Sequence, residues 1–287
     1  MSKTGLIVEG GGMKCAYGAG VLDKFLDDNI TFDYCIGVSA GAANLASYLG
    51  GQRDRNLRFY TTHIKSPDYF GPRSFLKTGN LFGLQYIYGT LSNSDGADPI
   101  HLSALLANPA DYRIVSTNAK TGRPVYFTKQ NLKQDDYRAI MASCAIPAVC
   151  KPIEIDGEYY YDGGISDSIP VKKALDDGCD KLVAILSKPH NYVKKPEKHR
   201  AMYSLLCRNY PKAVEAMNNR HFMYTGEQKR LFALEEAGKA FVFAPFDPPE
   251  SGTYTMDEKV NQQLYDMGCA DYEARREELR KFLTSET

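Results

Sequence analysis

The sequence predicts an α/β fold, a three-layer α/β/α sandwich with a mostly parallel central sheet. The main reason is the order of the first fifty residues, where short apolar runs of strand length alternate with segments of helical spacing. A β-α-β-α order predicts parallel strands joined by right-handed crossovers. A further buried strand, Lys181 to Leu186, appears after a long interval and extends the same sheet.

The opening elements are defined by apolar runs and glycines. Leu6 to Val8 is a short apolar run that ends at three glycines, which predicts a buried strand. Ala16 to Asp28 carries apolar residues at helical spacing, and Tyr34 to Val38 predicts a second strand. Ala40 to Leu49 is small and apolar, which predicts a helix buried on most sides.

The remaining elements are less regular. Residues 65–99 are rich in aromatic residues and glycines without a clear period, which favours either a mobile lid or acyl-chain wall, or a helical pair packed on the sheet. After them the sequence predicts strands at Tyr112 to Asn118 and Val125 to Thr128, a helix at Asp135 to Ser143, and a hairpin of Lys151 to Ile155 with Glu158 to Tyr161. From about Glu197 the pattern is mainly helical, with one strand near Phe241 to Ala244.

Composition narrows the class of protein. The chain of 287 residues has 35 basic and 35 acidic residues, so its zero net charge argues against bulk binding to nucleic acid. Its seven cysteines include no Cys-x-x-Cys pair, and free thiols fit a reducing compartment. No stretch has the length of a signal-peptide core or of a membrane span. We therefore expect one cytoplasmic domain over residues 1–287, with any membrane contact at the inner membrane surface.

The segment Gly37-Val38-Ser39-Ala40-Gly41 has the Gly-x-Ser-x-Gly pattern of a nucleophile elbow. In that pattern the serine lies on a tight turn between a strand and a helix, and the glycines remove side chains that would clash. A strand before Ser39 and a helix after it supply the required context. The alternative is an ordinary strand–helix turn in which Ser39 is only an N-cap.

The loop Gly10-Gly11-Gly12-Met13-Lys14 follows the first strand and precedes the first helix. Backbone N–H groups exposed at a helix N-terminus bind anions or a developing oxyanion. A dinucleotide-binding Gly-x-Gly-x-x-Gly motif would need glycine where Cys15 stands, and a P-loop would need Gly-Lys-Ser/Thr at its end. The remaining alternative is a purely structural turn.

Asp162-Gly163-Gly164 follows the strand Glu158 to Tyr161. An aspartate at a strand end followed by glycines can be approached closely by another part of the backbone, and burial could raise its pKa. Taken alone, the segment fits a glycine-rich turn in which Asp162 bonds its own backbone.

Together these three segments resemble the patatin-like phospholipases, looking closest to the bacterial branch. That family has a glycine-rich oxyanion loop with a basic residue, a Gly-x-Ser-x-Gly elbow and a later Asp-Gly-Gly or Asp-Gly-Ala, in this order. Ala145-Ile146-Pro147 and Ile169-Pro170-Val171 extend the match, which covers roughly residues 5–190. One position departs from the pattern, because Cys15 stands where the family usually has glycine.

The resemblance implies a serine acyl-ester hydrolase acting on lipids, of the phospholipase A, lysophospholipase or carboxylesterase type. It implies Ser39 as the nucleophile, Asp162 as its base, and an oxyanion hole from Gly10, Gly11, Gly12 and Met13. Supporting positions are Lys14, Gly37, Gly41, Gly163 and Gly164. The dyad implies no histidine, metal or cofactor.

Two other functions remain open. His190 follows the strand Lys181 to Leu186 and gives the chain order Ser39, Asp162, His190 of an α/β-hydrolase triad. A non-catalytic acyl-lipid binding or regulatory protein could also have kept the fold. We expect a lipid or small ester as partner; the basic stretch Lys188 to Arg200 fits either a solvated loop or a surface facing anionic lipid. The sequence does not give the oligomeric state.

Overall fold

The apolar runs form the strands of one eight-stranded sheet in the computed structural model, which describes residues 3–285. Its strands are β1 (Thr4–Val8), β2 (Tyr34–Val38), β3 (Asp111–Asn118), β4 (Pro124–Thr128), β5 (Ile153–Ile155), β6 (Glu158–Asp162), β7 (Lys181–Ile185) and β8 (Ala240–Phe243). The sheet order is β5-β6-β3-β2-β1-β7-β8, and β4 pairs with β3. The pairings among β1, β2, β3, β7 and β8 are parallel, whereas β4, β5 and β6 join antiparallel.

Helices cover both faces of the sheet. They are α1 (Ala16–Asp27), α2 (Ala40–Leu49), α3 (Arg55–Tyr60), α4 (Pro72–Thr78), α5 (Leu84–Tyr86), α6 (Leu102–Ala107), α7 (Arg138–Ser143), α8 (Val171–Asp176), α9 (Arg200–Leu206), α10 (Pro211–Glu236) and α11 (Glu258–Thr284). Short 3-10 turns at Gly12–Cys15 and Gly163–Ile165 lie in the two glycine-rich segments that follow β1 and β6.

The central strands are buried on both faces because their alternate residues enter different cores. In β1, Leu6 and Val8 pack in one core and Ile7 packs in the other. The first core contains residues of α1, α2 and α11, and the second contains residues of α8 and α10. Side chains of a strand point alternately to opposite faces, so this division confirms the predicted three-layer sandwich.

The register of β3 brings two distant segments of the chain together. Val38, the last residue of β2, is opposite Val115, and Asp162, the last residue of β6, is opposite Ser116. Val115 and Ser116 are neighbours on β3, so β2 and β6 end at the same level on the two sides of β3. This arrangement positions the site described below.

One predicted boundary needs correction, and one open assignment is resolved into elements. The helix expected from Asp135 begins only at Arg138, because Asp135 has a left-handed φ of 63° and its carboxylate accepts hydrogen bonds from the backbone and hydroxyl of Ser94 at 2.7 and 2.8 Å. The irregular stretch 65–99 contains α4, α5 and a π-helical turn at Ile87–Leu91.

Within residues 3–285, no helix is both long and apolar enough to cross a bilayer.

Candidate active site

Ser39 occupies a strained turn between β2 and α2. Its φ of 55° and ψ of −131° are rare for a residue with a side chain. A Cβ atom on Gly37 would lie 2.5 Å from the Cα of Ala42, and one on Gly41 would lie 2.4 Å from the carbonyl oxygen of Val8. Both glycines of the motif are therefore required by close backbone packing, as expected for a nucleophile elbow.

The side chains of Ser39 and Asp162 meet at the point fixed by the register of β3. The Ser39 hydroxyl donates to Asp162 Oδ2 at 2.6 Å, and both residues are buried. The contact joins positions 123 residues apart in the chain. An alcohol held against a carboxylate in this way has the geometry of a nucleophile and its base.

The Asp162 carboxylate is held from several sides. Gly164 donates its N–H to Asp162 Oδ1 at 2.7 Å. Burial raises the pKa of the Asp162 carboxyl, while the hydrogen bond from Ser39, the charge of Arg220 and the hydrogen bond from Gly164 lower that pKa. The raised pKa makes Asp162 a stronger base than an exposed aspartate.

The glycine loop lies beside Ser39. A Cβ atom on Gly10 would lie 2.8 Å from that of Ser39, so the loop backbone passes directly next to the nucleophile. Gly12 has a φ of 59°. The N–H of Met13, expected as an oxyanion donor, donates to the carbonyl of Thr253 at 3.1 Å. The loop N–H groups at Gly11 and Gly12 make no backbone hydrogen bond within residues 3–285.

A buried ion pair between Glu9 and Lys188 lies next to the glycine loop. Glu9 accepts hydrogen bonds from the N–H of Ser187 at 2.8 Å and from the ammonium group of Lys188. Lys14 is half-buried beside a cleft that includes Ser187 and Glu250. Burial, followed by the charge of Lys188, lowers the pKa of Lys14.

An apolar cavity of about 60 Å³ opens at Ser39. The irregular stretch 65–99 forms part of its wall and contributes Tyr69, Phe82, Leu84, Ile87 and Tyr88. Phe75 of the same stretch is 52% exposed. The stretch therefore lines a cavity beside the nucleophile, but the exposed Phe75 side chain is not one of the lining residues.

Sequence reasoning missed three residues at this site. Ser143 accepts the Ser39 N–H at 2.8 Å and donates to the carbonyl of Val115 at 2.5 Å, which fixes the elbow to β3. Arg220 and Thr253 come from the C-terminal part, which carries no motif. The only available signal was the position of Ser143 just before Ala145-Ile146-Pro147.

The other candidate nucleophiles and bases lie elsewhere or are inert. His190 stacks on Phe232 with ring centroids 3.7 Å apart and pairs with Glu235 at 3.0 Å, so the structure does not bring it to Ser39. Burial raises the pKa of the Cys15 and Cys35 thiols, which keeps them protonated. In residues 3–285 no three His, Cys, Asp or Glu side chains are grouped as metal ligands.

The chain is similar to several known proteins and to two family models. The family model of the patatin-like phospholipases matches residues 6–175, and a model described as a domain of unknown function, DUF6363, matches residues 210–284. The uncharacterised protein YjjU of Escherichia coli is 31% identical over 201 residues, which cover 69% of this chain and 55% of that protein. An uncharacterised NTE family protein of Mycobacterium tuberculosis is 36% identical over 77 residues, 27% of this chain and 20% of that protein.

The chain thus spans about half, or less, of the length of these curated relatives. Among solved structures, VipD from Legionella pneumophila matches with a TM-score of 0.44 and 13% identity, over 96% of this chain and 67% of that one. The family match covers more than half of the chain and includes Ser39 and Asp162. The chain therefore belongs to the patatin-like phospholipase family.

Proposed function

We propose that this protein is a lipid acyl hydrolase that uses a Ser39–Asp162 dyad and an acyl-enzyme intermediate. The observation that carries the proposal is the 2.6 Å hydrogen bond from Ser39 Oγ to Asp162 Oδ2, at a strained elbow beside an apolar cavity. Family membership supports a lipid hydrolase. The dyad and the substrate class are our own inference from the geometry.

In the first half-reaction, Ser39 Oγ attacks the ester carbonyl carbon and Asp162 accepts its proton. The oxyanion is held by backbone N–H groups of the glycine loop at Gly11 and Gly12, at the start of the helical segment that leads into α1. Asp162 then gives the proton to the leaving alkoxide, and the acyl group remains on Ser39.

In the second half-reaction, Asp162 takes a proton from water as the water oxygen attacks the acyl carbonyl. The bond to Ser39 Oγ breaks, the proton returns to that oxygen, and the carboxylic acid leaves. The acyl chain occupies the cavity lined by Tyr69, Phe82 and Leu84. The apolar wall favours a hydrocarbon chain over a polar one.

The Met13–Thr253 hydrogen bond bears on the number of oxyanion donors. Two loop N–H groups suffice for an oxyanion hole, and Met13 adds a third only when the Thr253 carbonyl moves away. A protein that binds acyl lipids without hydrolysing them is the competing function, because it would need the cavity but not the dyad.

A fluorophosphonate probe separates these functions because it forms a covalent bond only with an activated serine. We expect labelling of the wild type at Ser39 and none of Ser39→Ala. Ser116→Ala is a matched control that removes a buried hydroxyl without a hydrogen-bond partner in residues 3–285, and it should be labelled like the wild type. Absence of labelling in the wild type, together with binding of fatty acid, would favour the binding protein.

A further inference from the structure

Arg220 of α10 lies beside the catalytic carboxylate. A methyl group on Gly164 would lie 3.0 Å from Asp162 Oδ1 and 3.2 Å from Arg220 Nη2. The carboxylate and the guanidinium therefore face each other across the space that a side chain at position 164 would need. Glycine at this position leaves that space open.

A short network holds Arg220 in this place. Its Nε donates to the hydroxyl of Ser168 at 3.4 Å, and Ser168 donates to the carbonyl of Gly164 at 2.6 Å. Its Nη1 pairs with Glu197 at 3.1 Å. The guanidinium is thereby tied to the turn that carries Asp162.

We propose that Arg220 is a positioning residue of the Ser39–Asp162 dyad, whose charge keeps the buried Asp162 carboxylate ionised and oriented. This inference rests on the proposed function. Arg220 lies outside the family match of residues 6–175 and inside the C-terminal match of residues 210–284. The C-terminal segment is then part of the active site and not a separate module.

Electrostatics agrees with this role. The charge of Arg220 lowers the pKa of Asp162 and opposes the effect of burial. The titratable or charged groups that interact with Asp162 from the surrounding elements are Arg220, Cys15, Cys144, Cys150 and Tyr254, and Ser39 donates a hydrogen bond to it. Burial raises the pKa of each of these thiols and of the Tyr254 phenol, so Arg220 is the one charge among them at neutral pH.

The test is the pH dependence of kcat/KM on a neutral soluble ester, p-nitrophenyl butyrate. The acid limb of this profile is the range where kcat/KM falls because Asp162 becomes protonated. For Arg220→Gln we expect this limb to move to higher pH by about one unit, which is about a tenfold loss of kcat/KM at a given pH on the limb. Arg220→Lys should restore part of the shift. Glu197→Gln is the control, because it removes the partner of Arg220 and keeps the guanidinium, so its acid limb should stay or move to lower pH.

The outcomes separate this inference from the proposed function. An inactive wild type, or a Ser39→Ala variant that is as active as the wild type, would remove the dyad itself. An active, Ser39-dependent enzyme whose acid limb is unmoved in Arg220→Gln would refute the role of Arg220. If Arg220→Gln does not fold, Gly164→Ala tests the same point, because its methyl group separates Arg220 from Asp162 and should shift the limb in the same direction.

A second inference comes from an exposed surface formed by residues 193–208 and Phe222, which we name the basic-apolar surface. On α9 the side chains of Met202, Leu205 and Leu206 are exposed, whereas Tyr203 and Cys207 are buried on its other side. Positions 202, 205 and 206 lie on one face of a helix. Val193 and Phe222 are each 70% exposed. Phe222 lies one helical turn after Asn218 on α10, and Asn218 accepts a hydrogen bond from the Tyr203 hydroxyl of α9, so Phe222 is close to this face.

The charges on this surface have one predominant sign. Exposed basic side chains are Lys195, Lys198, His199, Arg200 and Arg208. The single acidic residue of the segment, Glu197, is half-buried between Lys194 and Arg220. The overall chain is neutral, so this segment holds a local excess of positive charge.

We infer that the basic-apolar surface docks on an anionic lipid bilayer. Exposed leucine, methionine and phenylalanine side chains insert at the acyl boundary, while lysines and arginines bind anionic headgroups. The Glu197–Arg220 pair connects this surface to Asp162, so docking would bring the active site close to lipid. A second copy of the chain would bury the apolar side chains but not neutralise the charge.

Co-sedimentation with vesicles of phosphatidylglycerol and of phosphatidylcholine tests this inference. We expect binding to the anionic vesicles only, a loss of at least about tenfold in Leu205→Ser/Leu206→Ser and in Lys195→Glu/Lys198→Glu, and unchanged hydrolysis of p-nitrophenyl butyrate. Leu106→Ser, an exposed leucine on α6, is the matched control and should bind like the wild type. Equal binding by all variants, or a dimer that dissociates in Leu205→Ser/Leu206→Ser without vesicle binding, would refute the inference.

Discussion

Phe82 offers a sharp test of the acyl cavity because its ring forms part of the wall and is only half-buried. It packs against Tyr69 and Phe70, with ring centroids 5.8 and 5.4 Å away, and against Tyr254 at 6.2 Å. Replacing it with serine removes the ring and opens the wall toward solvent. An acyl chain in the cavity would then stay partly in contact with water.

The size of the cavity sets the expected magnitude. At roughly 10–15 Å³ for each water-sized group, a cavity of about 60 Å³ receives about four to six of them, the length of a short acyl chain. If two or three methylenes become wet in Phe82→Ser, each loses about 0.8 kcal/mol, a total of about 2 kcal/mol, or about thirtyfold. The acetyl group is too short to reach the missing wall.

The assay compares kcat/KM for p-nitrophenyl hexanoate and p-nitrophenyl acetate. We expect the hexanoate-to-acetate ratio to fall about thirtyfold in Phe82→Ser. The matched control is Phe75→Ser in the same stretch, where the ring is 52% exposed and the ratio should stay within about twofold. An unchanged ratio in Phe82→Ser, accompanied by a lower Tm, would refute the acyl cavity and make Phe82 an ordinary packing residue.

The remaining predictions concern the dyad, a histidine and a buried carboxyl. Ser39→Ala and Asp162→Asn should each lower ester hydrolysis by at least about a thousandfold, and the double variant should be little worse, since the two residues act as one unit; near-normal activity of Asp162→Asn would exclude the dyad. His190→Ala should keep the rate within about tenfold, because its partner is Glu235 and it has no proton to transfer at the site; a loss as large as that of Ser39→Ala would instead indicate a triad. Burial raises the pKa of Asp167 to about 7. Between about pH 4 and pH 7 the folded protein therefore holds a proton on Asp167 that the unfolded chain has lost. As a result, the free energy of unfolding falls as pH rises through this range. Asp167→Asn should therefore raise Tm at pH 8 much more than at pH 4.5, and equal shifts in thermal melts at both pH values would contradict this assignment.

Local patterns were sufficient to predict most of the fold. The strands at Leu6 to Val8 and Tyr34 to Val38 and the helix after Ser39 could be predicted because apolar spacing and glycines act within a few residues. The stretch 65–99 could not be assigned in this way. Its apolar side chains line a cavity instead of following one helix face or strand face, so no period marks them.

The sequence by itself determined the chemical groups of the site, since the elbow requires Gly37 and Gly41 and the Asp162 turn requires small neighbours. Tertiary structure decided which groups meet. The register of β3 brings Asp162 against Ser39 across 123 positions, and α10 delivers Arg220 from a segment without any motif. Pairing between distant strands and packing between distant helices depend on the whole core, so neither can be inferred from short-range sequence patterns.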